Sequence, residues 1–437
     1  SGRAFLAPAR RARPHRPARW RLRDWRNPLK RLGPGLITGV ADDDPSGIAT
    51  YSQAGAQFGF NMLWTMALSY PLMSAVQLMC GNLGRVTGKG LSANIKAVFS
   101  PALLRALVAL LLIANILNIA ADVAAMGEAA ELVTGIGRHW MTLVFVALTL
   151  VLQIFVPYHR YVNILKWLTL SLLAYIAVLF TVHVPWGEVL ARTVWPHLTF
   201  DGDTATMIVG VFGTTISPYL FFWQASEEVE DLRGGPGLID APEAAPTELR
   251  RISWDTWSGM LYSNVAACFI ILATAVTLHA DGLTTINTAA EAASALKPLA
   301  GESAFALFAI GILGVGLVGV PVLAGSAAYA MAEAMGWHTG LERKVMEAKG
   351  FYGVIAVSVL AALIIQFSPI NPMRALFWSA VINGVVAVPL MAVLILLVSR
   401  RSVMGDFVAS KPIRLLGWAA TGLMGGAAAL MIGSIFF

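Results

Sequence analysis

Apolar residues run through this chain in long blocks, not in the alternation of a strand or the half-apolar stripe of a soluble helix. Eleven blocks of roughly 16 to 30 residues stand out, each able to cross about 30 Å of hydrocarbon at about 1.5 Å per residue. They cover residues 32–58, 62–80, 103–132, 141–156, 162–182, 207–226, 254–279, 305–334, 352–367, 375–398 and 415–436. Two blocks are interrupted. The first breaks at Asp42-Asp43-Asp44-Pro45-Ser46-Gly47 and the sixth at Gly213-Thr214-Thr215-Ile216-Ser217-Pro218. Ten of the eleven blocks divide into two sets of five, each opening with an interrupted member, and an odd number per set inverts the second relative to the first. The pattern predicts an all-α membrane protein with a 5+5 inverted repeat, broken first and sixth helices and 11 transmembrane helices. Its expected parts are a basic tail over 1–31, a ten-helix transport core over 32–398, and a loop with the eleventh helix over 399–437.

Composition agrees with a bilayer solvent. Hydrophobic residues make up 57% of the 437 and charged residues 13%, with a mean hydropathy of +0.69, about half the charge of a soluble domain. Basic residues set the expected orientation. With a cytoplasmic N-terminus, 27 of the 31 Lys and Arg fall on one side, leaving only Arg138, Arg192, Lys297 and Arg374 opposite. The expectation is a multi-pass protein of the plasma (inner) membrane, N-terminus cytoplasmic and C-terminus outside. Most of the excess positive charge lies in the stretch 3–31, so anionic lipid beside the tail, and not nucleic acid, is the expected partner. Cys80 and Cys268 sit in apolar blocks without a Cys-x-x-Cys or histidine neighbour and read as packed thiols. No nucleophile–base pair or cofactor motif is present, so an enzyme is not expected and no cofactor is called for. The acidic run Glu227, Glu228, Glu230 and Asp231 reads as part of a solvated loop over 227–255, and 287–299 as a short surface helix.

The chemistry concentrates at the two breaks. Unwound backbone in hydrocarbon costs several kcal/mol per unpaired polar group unless it lines a cavity or packs in protein. Carboxylates inside a span cost a further 2.5–3.5 kcal/mol or so each on insertion scales. Asp44, beside the proline, is the candidate ligand, whereas Asp42 and Asp43 face water or partner helices, or cap and pair without touching substrate. Thr214, Thr215 and Ser217 bring hard neutral oxygens to the second break, although such hydroxyls often bond back to the preceding turn. Asp122, alone in an apolar third block, could be a proton acceptor, a support or an ion-pair partner. Asn383 in the tenth block is either a packing amide or a support for the site.

The run Gly33-Pro34-Gly35-Leu36-Ile37-Thr38-Gly39 before Asp44-Pro45-Ser46-Gly47, with Ser217-Pro218-Tyr219, resembles the natural resistance-associated macrophage protein (Nramp) family of divalent metal transporters. Val86-Thr87-Gly88-Lys89-Gly90 and Pro321-Val322-Leu323-Ala324-Gly325-Ser326 extend the resemblance along all eleven blocks. It implies a LeuT-like fold and transport of manganese or ferrous iron with protons. The departures are specific: Gly47 stands where the family usually has asparagine, Ser217 where it has a methionine, Tyr219 where it has a histidine, and Ala125 where it has a second carboxylate. Such a site resembles the Nramp-related magnesium transporter branch, since a hydroxyl lacks the thioether's preference for softer metals and magnesium keeps much of its water. The resulting expectation is alternating access by a partly hydrated Mg2+ or Mn2+ held by Asp44, the Ala41 carbonyl, the backbone at Gly47, Thr214 and Ser217. Asp42, Asp43, Thr215, Tyr219, Asp122 and Asn383 are its supporting or coupling positions. The alternatives are a proton-coupled Mn2+/Fe2+ importer and a same-fold carrier of a non-metal solute.

Overall fold

Prolines decide where the helices of this bundle break. The structure, a computed structural model, describes residues 34–156, 168–199, 201–232, 234–341, 343–367 and 369–436. The 1–31 tail and the opening residues of the fifth block lie outside them. In chain order the helices are α1 (Pro34–Asp42), α2 (Pro45–Phe58), α3 (Leu63–Thr87), α4 (Leu91–Val98), α5 (Pro101–Thr134), α6 (Arg138–Phe155), α7 (Leu173–Val178), α8 (Trp186–Val194), α9 (Gly202–Thr215), α10 (Pro218–Asp231), α11 (Ala245–Thr274), α12 (Ala289–Ser294), α13 (Lys297–Ala300), α14 (Ala304–Met335), α15 (Lys349–Gln366), α16 (Pro372–Val398), α17 (Arg401–Met404) and α18 (Lys411–Phe436).

All eleven apolar blocks find their helices. The first is α1 with α2, and the sixth is α9 with α10. The second to fourth are α3, α5 and α6; the seventh to eleventh are α11, α14, α15, α16 and α18. Of the fifth, a 3-10 turn and α7 are described. Eight continuous helical stretches are long and apolar enough to cross a bilayer, with α2 and α3 running together as one, and α15 is a shorter apolar helix.

The two breaks share one construction. Pro45 and Pro218 each sit at the first position of the second half-helix, where a missing N–H costs nothing. Each proline also excludes helical backbone from the residue before it, and Asp44 (φ −76°, ψ 172°) and Ser217 (φ −73°, ψ 129°) are accordingly extended. Glycine lets the leading half-helices seat closely. A Cβ on Gly39 of α1 would lie 2.7 Å from Gly259 Cα on α11, and one on Gly213 of α9 would lie 2.7 Å from Gly384 Cα on α16. Close backbone approach of this kind is how helices associate where lipid offers no hydrophobic drive. Around the breaks, α5 packs along α14 and α16, while α18 covers α9 and α16.

The acidic run near residue 230 does not form a solvated loop. It completes α10, and Glu227 and Glu228 are buried. Arg251 Nη2 meets Glu228 Oε2 at 2.6 Å and Arg85 Nη2 meets Glu248 Oε2 at 2.6 Å. Arg85 also reaches Asp231 at 3.2 Å. These pairs tie the ends of α3, α10 and α11 together, and the two guanidiniums make the buried Glu228 carboxylate tolerable. The expected surface helix over 287–299 is present as α12 and α13, with Thr288 and Glu291 forming a capping box.

Candidate functional site

Asp44 begins α2 as its N-cap, and the reason it is structured there also shapes its chemistry. Its Oδ1 accepts the Gly47 N–H at 2.8 Å and the Ser46 hydroxyl at 2.7 Å, the usual use of an aspartate at this position. Its Oδ2 turns across the bundle, accepting Asn118 Nδ2 of α5 at 2.8 Å. Tyr219, the second residue of α10, stands 3.5 Å from the same oxygen and donates to the Ala41 carbonyl at 3.2 Å. One carboxylate therefore meets both broken helices and α5. Gly319 of α14 closes the fourth side, where a Cβ would come within 3.1 Å of Asp44 Cβ.

Asp42 and Asp43 point elsewhere. Both approach the hydroxyl of Ser263 on α11, at 2.6 Å and 3.0 Å, leaving Asp42 Oδ1 and Asp43 Oδ2 buried without hydrogen-bond partners among the described residues. Asp44 departs from this pair because its extended backbone begins the cap of α2.

At the second break the hydroxyls divide. Thr215 bonds back to the carbonyls of Val211 and Phe212, at 3.0 and 3.4 Å. Ser217 donates to the carbonyls of Gly213 (3.0 Å) and Thr214 (2.8 Å), which spends its proton but leaves its oxygen lone pairs. Thr214 Oγ1 faces the Tyr51 hydroxyl instead of its own helix and lies 3.1 Å from where a Cβ on Gly47 would be. Gly47 thus supplies an amide to Asp44 and a narrow space beside Thr214, which a larger side chain would enter only by displacing Thr214 or Tyr51.

Asp122 is fully buried on α5, one turn beyond Asn118, and its carboxyl faces the Ser46 backbone amide at the start of α2. Neither amide atom of Asn383, which adjoins the Gly213–Gly384 crossing, has a hydrogen-bond partner among the described residues. Asn118 Oδ1 is likewise buried without a hydrogen-bond partner among the described residues. Buried polar atoms are rarely left so in a finished core. Those that remain here gather on the helices that meet at the breaks. Among the described residues, no three or more His, Cys, Asp or Glu side chains converge on a metal-sized space, so a cation here would meet one carboxylate and neutral oxygens.

Asn118, Ser263 and Gly319 carry no signal in the pattern of breaks. Asn118 alone had a readable cue: it lies four residues before Asp122 and so shares its helix face.

Two broken helices meeting through buried polar groups inside an inverted-repeat bundle define a multi-pass membrane transporter and not an enzyme. The chain belongs to the Nramp family: the family model described as "Natural resistance-associated macrophage protein-like" matches residues 35–434. Among similar curated proteins, the divalent metal cation transporter MntH of Acidiphilium cryptum is 27% identical over 93% of this chain and 89% of its own length. MntH of Deinococcus radiodurans is 27% identical over 89% and 86%. Among solved structures, a manganese transporter of Eremococcus coleocola superposes with a TM-score of 0.72 at 17% identity, covering 92% of this chain and 85% of that one. Mhp1, a nucleobase-cation-symport-1 family transporter, superposes at 0.55 with 13% identity over 93% and 92%. These likenesses establish the LeuT-like fold.

Proposed function

We propose that this protein carries a hard divalent cation, Mg2+ or Mn2+ with part of its water, across the membrane by alternating access around Asp44, with little or no proton coupling. One observation carries the proposal: Asp44 Oδ2 faces Asn118 and the second broken helix at once, so a cation on that oxygen would link the two halves of the repeat. Ala41 O at the first break and Thr214 Oγ1 and the Ser217 oxygen at the second supply neutral donors. Four neutral or carboxylate oxygens completed by water suit a cation that dehydrates reluctantly. The relatives' names, divalent metal cation transporter and manganese transporter, support the cargo class. Gly47, Ser217 and Tyr219 support the harder, uncoupled version, with a cytoplasmic N-terminus in the plasma membrane as its setting.

A second reading has its own support. Asp122 is a buried carboxylate beside Asp44 and the Ser46 amide, with no basic side chain paired to it among the described residues, and it could accept a proton in place of the family's histidine, giving a proton-coupled Mn2+/Fe2+ importer. Proteoliposomes loaded with a metal-sensitive dye and a pH dye separate the two. Metal entry with unchanged internal pH is expected for the wild type and no entry for Asp44→Ala. Stoichiometric acidification would select the coupled reading, and normal flux in Asp44→Ala would refute both.

A further inference from the structure

Away from the breaks, the bundle holds a second cavity of about 260 Å³ between α5, α15 and α16. It exists because α5 presents Ala120, Ala121 and Ala124 where larger side chains would close the gap to Ala375 and Ser379 of α16. The order of the helices gives the cavity an axis. Arg138 begins α6, Arg374 lies in the first turn of α16, and both line one end with Ile370 and Pro372. From Ala124 to Leu117 the wall descends about 10 Å along α5, and from Pro372 to Ile382 about 15 Å along α16. The deep end is apolar, formed by Leu117 and Ile382. Trp378 and Ile370 on its flank are 52% and 57% exposed, so the cleft opens sideways where the lipid would be.

The positive rim has spare charge. Among the described residues neither guanidinium is within ion-pair distance of a carboxylate. Arg374 donates only to the neutral Asn287 Oδ1, at 3.2 Å, and Arg138 feels Glu128 only through its longer-range field. Two cations above a slot of hydrocarbon depth match an amphiphile with an anionic head.

We propose that this cleft binds one anionic phospholipid, its phosphate between Arg138 and Arg374 and an acyl chain along Ala124, Ala121 and Leu117. Ala121 and Ile382 adjoin Asp122 and Asn383, so an occupied cleft holds α5 and α16 at a fixed spacing beside the transport site. The proposal rests on the fold and is independent of which ion is carried.

The test uses the delipidated full chain in a neutral detergent, titrated with dioctanoyl phosphatidylglycerol or dioctanoyl phosphatidylcholine and followed by native mass spectrometry. Two interfacial arginines at about 1 kcal/mol each give a preference for the anionic lipid of about thirtyfold. Arg138→Gln with Arg374→Gln should abolish that preference, and Ala121→Leu should weaken both lipids by filling the slot. Equal binding of the two lipids, or an undiminished preference in the double arginine variant, overturns the proposal. So does inorganic phosphate competing as strongly as the lipid, which would make the rim a simple anion site. The arginine variants lie at the rim, so a failure of Ala121→Leu to fold leaves the test intact.

Discussion

Glu228 offers the sharpest test of how this structure is held in one state. Its side chain is fully buried at the end of α10, with Oε2 2.6 Å from Arg251 Nη2 and 4.0 Å from Arg85 Nη1. Glu228→Gln keeps the volume and removes the charge. Stranding a buried charge outright costs about 3–5 kcal/mol, but Arg251 would keep Glu248 at 3.1 Å and Asp231 at 3.8 Å. The appropriate figure is therefore that of a lost hydrogen bond between charged groups, about 1.5–3 kcal/mol. If alternating access separates the ends of α3, α10 and α11, this cost falls on the closed arrangement alone. The open population then rises about ten- to 150-fold. Ser226, buried two residues earlier on α10 and bonded to Glu333 at 2.9 Å, is a suitable reporter as Ser226→Cys in a Cys80→Ala, Cys268→Ser background. Its maleimide labelling rate should rise by that factor, with the thermal midpoint lowered by no more than that cost implies. A rate within about twofold of the parent would refute the reading that these pairs hold the three helix ends together.

Three further expectations follow from the same structure. Ser217→Met removes a hydroxyl that satisfies two carbonyls and adds a thioether, so binding should shift toward Cd2+ and away from Mg2+; a titration calorimetry ratio unchanged from wild type would count against Ser217 lying at the cation. Asn118→Ala deletes a donor to a buried carboxylate, worth about 1.5–3 kcal/mol; Mn2+ affinity should change by tenfold or more, and an unaltered affinity would place the ion away from Asp44 Oδ2. Asp201 caps α9, and its bonds from Thr199 and then Thr204 hold its carboxyl below the usual carboxylate range. A depressed folded value stabilises the protein above the unfolded value and is lost as pH falls through the folded one. Thermal melts should therefore show Asp201→Ala lowering the midpoint at neutral pH, with the gap to wild type closing in acid; a constant gap would exclude the charge as the cause.

The local chemistry of the sequence was enough to locate both breaks. Asp44-Pro45 and Ser217-Pro218 dictate an extended residue before a proline at the start of a helix wherever they occur, and the apolar blocks around them are fixed by the thickness of a bilayer. That is why the eleven-helix plan, the inverted repeat and the pairing of the two interrupted helices were readable from residue order. Hydropathy was a poorer guide to the acidic run near residue 230. It sees Glu227 and Glu228 as polar and places them in a loop, whereas Arg85 and Arg251 beside Glu228, and Tyr329 beside Glu227, all brought in from other helices, allow α10 to continue through them.

What tertiary structure alone decided was direction. Three consecutive aspartates are chemically identical in the sequence, but the end of α1 sends Asp42 and Asp43 to Ser263 and the cap of α2 sends Asp44 to Asn118 and Tyr219. Likewise Thr214, Thr215 and Ser217 look alike as hydroxyls until the helix end consumes the proton of two and leaves Thr214 facing Gly47. Residue order sets which groups can bind a cation. Only the crossing of α5, α11 and α14 over the breaks, through contacts more than seventy residues apart, selects which of them meet.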